Sequence, residues 1–317
     1  MLYQITIMLE ITEFSSLIDL TNKFPDEATC INHLEAIRWG GNVVSPFDPT
    51  SKVYKCAGFK YRCKNTKKYF NVRTGTIFGD TKMPLQKWFM AIYIVNSHKK
   101  GISSHQLAKD LVITQKSAWF MLQRIRYAFG HENFKKTMAG QIQADEAYMG
   151  GLEKNRHKDK KKSRQGRLDD KTPVVGMLDN SGNVITQVTP MVTKRAVTDF
   201  ILDNTKREPG TKLITDSHPS YNKVGRKFDD HIIVKHSAGQ YMVNGFHTNG
   251  LENYWSLLKR GIYGIYHSVS PAHLHRYCHE FAFRFNTRKI RDNARFNLYL
   301  TSMNKRLTYK ELIRNGE

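Results

Sequence analysis

The chain has 317 residues, which is more than one ordinary domain needs and too few for three full ones. Its hydrophobic fraction of 40% is enough for a buried core, and its charged fraction of 25% is ordinary. Fifty Lys and Arg against 28 Asp and Glu give a net charge of +22, which indicates a polyanionic partner, nucleic acid before membrane. The alternative is a basic protein without such a partner.

The cysteine content indicates a reducing environment. Four cysteines are too few for a disulfide scaffold, and no two of them have C-x-x-C spacing. The apolar N-terminal stretch lacks the basic leader of a signal peptide, and no apolar run reaches the length of a membrane span. We therefore expect a cytoplasmic protein with reduced thiols.

Residues 1–77 are predicted to contain one clear helix followed by short hairpins. In ATCINHLEAIRWGG, Cys30 and Leu34 can share one helical face, and Gly40-Gly41 ends the helix. The next stretch, SPFDPTSKVYKCAGFKYRCKNTKKYFNVRTGTIF, is rich in turn residues, Lys and aromatic residues, which is typical of short hairpins.

Residues 78–134 are predicted to be helical. Ser103 or Ser104 can cap a short helix and Thr114 a longer one, with about three residues between them, which is helix-turn-helix spacing. The alternative is a plain helical hairpin. Contact with DNA is favoured by the basic residues of the second helix, Lys116, Arg124 and Arg126.

From about residue 138 the pattern predicts a mixed α/β layer architecture. Strands are predicted in GQIQADEAYMGG, in a hairpin formed by TPVVGMLD and NVITQVTP, and in TKLITDS and DHIIVKH. The hairpin turn is predicted at Asn180-Ser181-Gly182. Helices are predicted in KRAVTDFILDNTK and from Asn249 to about Lys289.

A basic segment separates the first of these strands from the hairpin. Residues 154–167 contain eight Lys or Arg and a single Asp. This composition is typical of a solvated loop, and it is equally suited to an electrostatic arm that follows a phosphate backbone.

Two aspartates are predicted at the ends of central strands. Asp145 follows Ile-Gln-Ala in one strand, and Asp216 ends another. In open α/β sheets, chemistry collects at the carboxyl ends of the strands. Transfer at a phosphodiester usually uses two divalent ions roughly 4 Å apart, and Mg²⁺ prefers oxygen ligands. The pair therefore predicts a site for two Mg²⁺ ions, or Mn²⁺ in their place.

Glu252 has two interpretations. As the partner of Asn249 it completes a capping box at the start of a helix. As a third acid it would join the two aspartates at the metal ions. Lys259 lies seven residues further on, two helical turns away on the same face, where a cation can hold a phosphate.

These motifs resemble the DDE transposases of bacterial insertion sequences, most closely the group with an ISXO2-like catalytic domain behind a small zinc ribbon. The resemblance runs from about Phe24 to Asn286. It is carried by YRCKNTKKYFNVRTGTIF, KKGISSHQLAKDLVITQKSAWFMLQRIR, ADEAYMGG, KTPVVGMLD, TDSHPSY and HTNGLENYWSLLKRGIYGIYHSVSPAHLHRYCHEFAFRFN.

The resemblance implies an RNase-H-like fold in which Asp145, Asp216 and Glu252 are the catalytic, metal-binding acids. Asn249 and His247 are expected to support these acids without binding the metal. The cations expected at DNA or phosphate are Lys259, Arg260, Lys116, Arg124, Lys160, Lys161 and Lys162. The expected partner is double-stranded DNA, as terminal inverted repeats and as target. A homo-oligomer assembled on DNA, near the nucleoid, is also implied.

The zinc ribbon of the family departs from its pattern in this chain. The family's two C-x-x-C knuckles correspond here to Ser45-Pro-Phe-Asp48 and Cys63-Lys-Asn-Thr66, so that only Cys63 remains of four ligands. A structural zinc needs four ligands, usually Cys or His. We therefore expect a degenerate, ribbon-like segment without structural zinc.

The last predicted helix carries two further sets of candidates. His275 and His279 lie four residues apart, and packing, hydrogen bonding and DNA contact are favoured over zinc because a third ligand is missing. A phosphate-facing set or a solvated face is predicted for Arg276, Arg284 and Arg288.

Four regions are expected. The N-terminal helix and degenerate ribbon span residues 1–77, the helix-turn-helix region 78–134, the RNase-H-like catalytic domain 135–290, and a C-terminal tail 291–317. The expected function is metal-dependent cleavage at insertion-sequence ends and transfer of the 3′-hydroxyl into target DNA. The alternatives are a DNA-binding regulator with an inactive transposase-derived domain and an RNase-H-like nuclease that cuts without joining.

Overall fold

The computed structural model describes residues 13–134, 137–150, 171–235, 239, 242–243 and 245–314. The predicted phosphate contacts Lys160, Lys161 and Lys162 lie outside the described residues. The chain divides into two compact units. The first unit comprises the residues up to 131 together with 289–314, and the second unit comprises residues 132–288.

The described α-helices are α1 (Leu17–Lys23), α2 (Glu27–Trp39), α3 (Leu85–Ser97), α4 (Ser104–Leu111), α5 (Gln115–Phe129), α6 (Lys194–Asp203), α7 (Asn222–Gly225), α8 (Asn249–Gly261), α9 (Pro271–Asn286), α10 (Asp292–Leu300) and α11 (Tyr309–Arg314). The described strands are β1 (Val53–Cys56), β2 (Lys60–Cys63), β3 (Tyr69–Phe70), β4 (Gln141–Met149), β5 (Thr172–Asp179), β6 (Val184–Val188), β7 (Lys212–Asp216) and β8 (Asp230–Val234). None of the helices in these ranges combines the length and the apolar character that a membrane span requires.

In the first unit, the predicted pair of helices is present with the predicted caps. The hydroxyl of Ser103 accepts a hydrogen bond from the amide of Gln106 at the start of α4, and that of Thr114 accepts one from the amide of Ser117 at the start of α5. Three residues connect the two helices, and Val112 among them has a left-handed backbone with φ 51°. The helix pair therefore has the expected spacing, while its role in DNA binding stays a prediction.

The first unit also contains a small antiparallel sheet in the order β1-β2-β3. One face of this sheet is buried, where Tyr61, Cys63 and Phe70 pack with Trp39 of α2. The chain returns to this unit after residue 288. The segment that was expected to be a tail instead forms α10 and α11 within the first unit.

In the second unit, five strands form one mixed sheet in the order β6-β5-β4-β7-β8. The pairs β4-β5 and β5-β6 are antiparallel, whereas β7 is parallel to β4 and β8 is parallel to β7. The turn between β5 and β6 lies at residues 180–183, with Gly182 at φ 80°, as predicted. The expected mixed α/β class is therefore confirmed.

Helices cover both faces of this sheet, because residues of β4 alternate between two hydrophobic clusters. Ile142 and Ala144 pack on the side of α6. Ala147 and Met149 pack on the side of α8 and α9. Residue 145 therefore projects toward the α8 side.

Candidate active site

Asp145 and Asp216 lie next to each other on neighbouring strands. The parallel register of β4 and β7 ends with Ala144 opposite Thr215, so that the next residue of each strand is an aspartate. Because Ala144 packs on the α6 side, both aspartates project from the opposite face, toward α8. The strand-end prediction needs one correction: Asp216 ends β7, but β4 continues to Met149 in its pairing with β5.

Helix α8 lies against this face of the sheet and holds Asp145 in place. The indole Nε1 of Trp255 donates a hydrogen bond of 3.1 Å to Oδ2 of Asp145, and the amide of Leu251 donates one of 3.1 Å to Oε1 of Gln143. Gly176 lies opposite Asp145 on β5. A Cβ at this glycine would lie 2.6 Å from Cη2 of Trp255, so that the indole can reach the aspartate only over bare backbone.

A further acid, Glu146, which the sequence reasoning missed, lies on the other face of β4. The hydroxyl of Tyr221 donates a hydrogen bond of 2.6 Å to Oε2 of Glu146, and Nδ1 of His218 lies 4.0 Å from Oε1 of Glu146. The amide of His218 donates a hydrogen bond of 2.9 Å to Oδ1 of Asp216. The sequence did contain one indication of these residues: they lie in the segments ADEAYMGG and TDSHPSY, next to the predicted aspartates.

The carboxylates crowd one another. Burial, together with the negative charges of Glu146 and Asp216, raises the pKa of Asp145 to about 6. Burial also raises the pKa of Glu146, and the negative charge of Asp216 adds to this rise. A set of crowded acidic oxygens fits a hard divalent cation such as Mg²⁺ or Mn²⁺. Within the described ranges, however, no three His, Cys, Asp or Glu side chains are grouped closely enough to hold a metal ion.

Glu252 stands in the first turn of α8 with an exposed side chain. The hydroxyl of Thr248 donates a hydrogen bond of 3.1 Å to its Oε1. The predicted capping box at Asn249 was wrong, because Thr248 is the N-cap, its side chain makes no capping hydrogen bond, and Asn249 is the first residue of the helix. The side chain of Asn249 is exposed, and the structure leaves the metal role of Glu252 a proposal.

The other predicted residues of this region differ in exposure. Lys259 and Arg260 are exposed in the last turn of α8, where Nε of Arg260 donates to the carbonyl of Ser256. Nδ1 of His247 is buried, and no hydrogen-bond partner lies among the described residues.

Arg124 is not at the surface, and its predicted contact with DNA was wrong. Its side chain is 4% exposed. Its guanidinium donates hydrogen bonds of 2.9–3.0 Å to the carbonyls of Ile77, Gly79 and Leu307. The side chain therefore ties the first unit together, whereas Lys116 on the same helix is exposed.

Two arginines of α9 were also wrongly predicted to face phosphate. Arg276 and Arg284 are 2% and 5% exposed, and Arg284 forms an ion pair with Glu280. On the same helix, the rings of His275 and His279 lie edge to face with their centres 6.0 Å apart, and burial lowers the pKa of His275 to about 4.

The positions of the expected zinc knuckles come together around Cys63, but their side chains do not fit structural zinc. Cys63 and Ser45 are fully buried. Burial disfavours the thiolate of Cys63, but hydrogen bonds from Ser45, Ser51 and Thr66 outweigh this and lower its pKa to about 6. One sulfur among hydroxyl groups does not provide the four Cys or His ligands of such a site. Hydroxyl groups thus surround the sulfur at the positions that were expected to correspond to the zinc knuckles.

Comparisons with known proteins agree with the resemblance seen in the sequence. Residues 137–286 match the family model described as the ISXO2-like transposase domain. The chain is 26% identical over 279 residues to a protein of Halobacterium salinarum described as an uncharacterized protein in transposable element ISH50. This match covers 82% of the chain and 91% of the relative.

Among solved structures, the chain is similar to complexes of the Mos1 transposase. A pre-cleavage Mos1 transpososome matches with 12% identity and a TM-score of 0.24, covering 58% of this chain and 72% of that one. The Mos1 strand transfer complex matches with 11% identity and a TM-score of 0.22, covering 62% and 75%. At such TM-scores no detail of those complexes transfers to this chain. The resemblance to insertion-sequence transposases is confirmed by the family match and the ISH50 relative.

Proposed function

We propose that this chain, a relative of the insertion-sequence transposases, is a DDE-type transposase. It cleaves DNA at the ends of an element and transfers the freed 3′-hydroxyl into target DNA. The observation that carries the proposal is the placement of Asp145 beside Asp216 on one face of the sheet, inside the segment that matches a transposase domain. The strand order, with three antiparallel strands followed by two parallel ones, supports an RNase-H-like fold for this unit.

Asp145 and Asp216 would hold divalent ions, Mg²⁺ or Mn²⁺, with Glu252 as the third acid. When bound, two such ions supply charge neutralisation at the phosphate and a more reactive hydroxyl. The protein itself supplies orientation. Trp255 fixes one oxygen of Asp145, and the amide of His218 fixes one oxygen of Asp216. Such partners keep a carboxylate in the geometry that a ligand requires.

The reaction consists of two displacements at phosphorus. Water first attacks the phosphodiester at the element end and loses a proton, and the departing 3′-oxygen takes up a proton to become the new 3′-hydroxyl. This hydroxyl then loses its proton as it attacks a phosphodiester of the target, whose own 3′-oxygen departs in line and takes up a proton. Lys259 and Arg260, exposed at the far end of the helix that carries Glu252, are suited to hold phosphates of the DNA.

DNA binding is assigned to exposed cations of both units. Lys116, at the start of the second helix of the capped pair, would contact the terminal inverted repeats. Lys160, Lys161 and Lys162 would follow the phosphate backbone. Because two ends must be joined in one event, the active form is a homo-oligomer on DNA.

A strand-transfer assay with Mg²⁺, an end duplex and a target plasmid tests the proposal. Asp145→Asn and Asp216→Asn should abolish joined product while binding of the end duplex is retained. Asp199→Asn, which removes a mostly exposed carboxylate from α6, serves as the matched control and should keep full activity. Full activity of either strand variant would refute the assignment. Cleavage without joining by the wild type would identify a nuclease instead, and metal-independent DNA binding alone would identify a regulator.

A further inference from the structure

The open face of the three-stranded sheet carries two tyrosines on either side of an arginine. Tyr54 on β1 lies opposite Arg62 on β2, and Arg62 lies opposite Tyr69 on β3. Residues directly opposite one another project from the same face of a sheet. The other face is the buried one, because Tyr61 and Cys63 of β2 point into the core. The three side chains therefore form one row across the sheet.

The rings of this row are accessible. Tyr54 is 43% exposed and Tyr69 is 61% exposed. The guanidinium of Arg62 lies 5.8 Å from the ring centre of Tyr69, and the ammonium of Lys52 lies 5.5 Å from that of Tyr54. Since neighbouring strands are about 4.8 Å apart, the two tyrosines are separated by about 10 Å. Each ring can accept a planar group of its own.

The positive charge around the row favours a polyanionic partner. Residues 50–70, which contain all three strands, include seven Lys or Arg and no Asp or Glu. Lysines alone would fit any phosphate backbone, but accessible aromatic rings also fit a partner with free flat faces. The bases of a single strand have such faces, whereas the bases of a duplex are stacked on each other.

The hairpin between β1 and β2 adds a second indication. Phe59 at its tip is 37% exposed and has a left-handed backbone with φ 57°. This conformation suits Gly or Asn and is strained for a bulky side chain. A phenylalanine kept exposed at this tip therefore extends the set of accessible rings.

We propose that Tyr54, Arg62 and Tyr69 form a stacking platform for unpaired nucleotides of single-stranded DNA. The two rings stack on bases, the guanidinium stacks between them or pairs with phosphate, and the surrounding lysines follow the backbone. This platform is independent of the proposed reaction, because it requires neither Asp145 nor a divalent ion.

The test measures fluorescence anisotropy with the full-length protein in EDTA, where no metal-dependent cleavage can occur. The probes are a labelled 20-nucleotide oligo(dT) and a labelled 20-base-pair duplex. The variant Tyr54→Leu/Tyr69→Leu should bind oligo(dT) at least about fivefold more weakly for each ring that engages a base, with duplex affinity unchanged. The variant Tyr54→Phe/Tyr69→Phe keeps both rings and should restore binding.

Two controls separate stacking from charge and from misfolding. Tyr309→Leu removes an equally exposed ring from α11 of the same unit and should leave oligo(dT) binding unchanged. Lys60→Gln should reduce the salt dependence of oligo(dT) binding, whereas the double leucine variant should keep the wild-type salt slope. The proposal is overturned if the double leucine variant binds oligo(dT) like the wild type, or if it loses oligo(dT) and duplex to the same degree.

Discussion

The two sheets of the protein use charge in opposite ways. The five-stranded sheet of the second unit carries Asp145 and Asp216 on its central strands, where a hydrogen bond from Trp255 or from a backbone amide fixes an oxygen of each acid. The three-stranded sheet of the first unit carries cations on an exposed face, against rings that are themselves accessible. Acids that bind a small ion need fixed geometry, whereas cations that follow a flexible polymer need accessibility.

This comparison implies that a basic residue of the first unit contributes to DNA binding only where it is exposed. Arg124→Met removes three hydrogen bonds to buried carbonyls, so that the free energy of unfolding should fall by about 3 kcal/mol. Chemical denaturation measures this loss. The salt dependence of DNA binding should remain unchanged, because the guanidinium does not face solvent.

Lys116→Met is the matched variant on the same helix. Stability should change by less than about 0.5 kcal/mol, because the side chain is exposed. The slope of log affinity against log salt should fall by about 1 if this lysine contacts one phosphate. The reverse pattern, in which Arg124→Met lowers the salt slope and leaves stability intact, would contradict the assignment.

On the acidic side of the comparison, Trp255→Phe keeps an aromatic ring against the sheet but removes the hydrogen bond to Asp145. The rate of strand transfer should fall roughly 10- to 100-fold, because a carboxylate without its orienting partner is a poorer ligand. The Mn²⁺ concentration that gives half-maximal rate should rise, and binding of the end duplex should not change.

Trp88→Phe is the control for this substitution. Nε1 of Trp88 is buried in the first unit, and the described residues offer it no hydrogen-bond partner. Its replacement by Phe should therefore leave the metal dependence unaltered. An unchanged metal dependence in Trp255→Phe as well would mean that the indole only packs and does not position the aspartate.

The sequence was sufficient for features that depend on neighbouring residues. Ser103 and Thr114 cap their helices as predicted, because a side chain and an amide three residues apart decide a cap. The adjacency of Asp145 and Asp216 followed from two strands that each carry an acid after an apolar run. The start of α8 was missed by one residue, because Thr248 and Asn249 both have residue types that favour caps.

Features that depend on distant partners were not predictable in the same way. The basic face of α5 could not be distinguished from a buried anchor, because the carbonyl of Leu307, which Arg124 contacts, lies 183 residues away in the sequence. Likewise, the bond between Tyr221 and Glu146 joins residues 75 positions apart. Helical periodicity indicates which residues share one face of a helix, but not which distant residues of the chain pack against that face.

The approach of Trp255 to the acidic face can be tested without assaying activity. Gly176→Ala places a Cβ 2.6 Å from Cη2 of the indole, and the free energy of unfolding should fall by about 2 kcal/mol through overpacking. In the background of Trp255→Phe the cost should be smaller, because the nearest atoms belong to the part of the indole that phenylalanine lacks. Gly264→Ala is the control, since no atom lies within 4 Å of a Cβ there. Additive effects of the two substitutions would contradict the predicted contact.

The last expected effect concerns the sulfur of Cys63, on the buried face of the three-stranded sheet. Cys63→Ala removes the acceptor of hydrogen bonds from Ser45, Ser51 and Thr66 and should lower the Tm by a few degrees. The folded-state pKa of about 6 lies below the ordinary value of 9.0, so that the unfolded chain binds more protons between these values. The stability difference between wild type and variant should therefore grow as pH rises from about 6 to 9, and shrink as pH falls through 6. A chelator should leave the Tm of the wild type unchanged, because hydroxyl groups rather than metal ligands surround the sulfur. A large drop in Tm on chelation would show that a metal holds this part of the first unit together, and that its cations are presented by a true zinc ribbon.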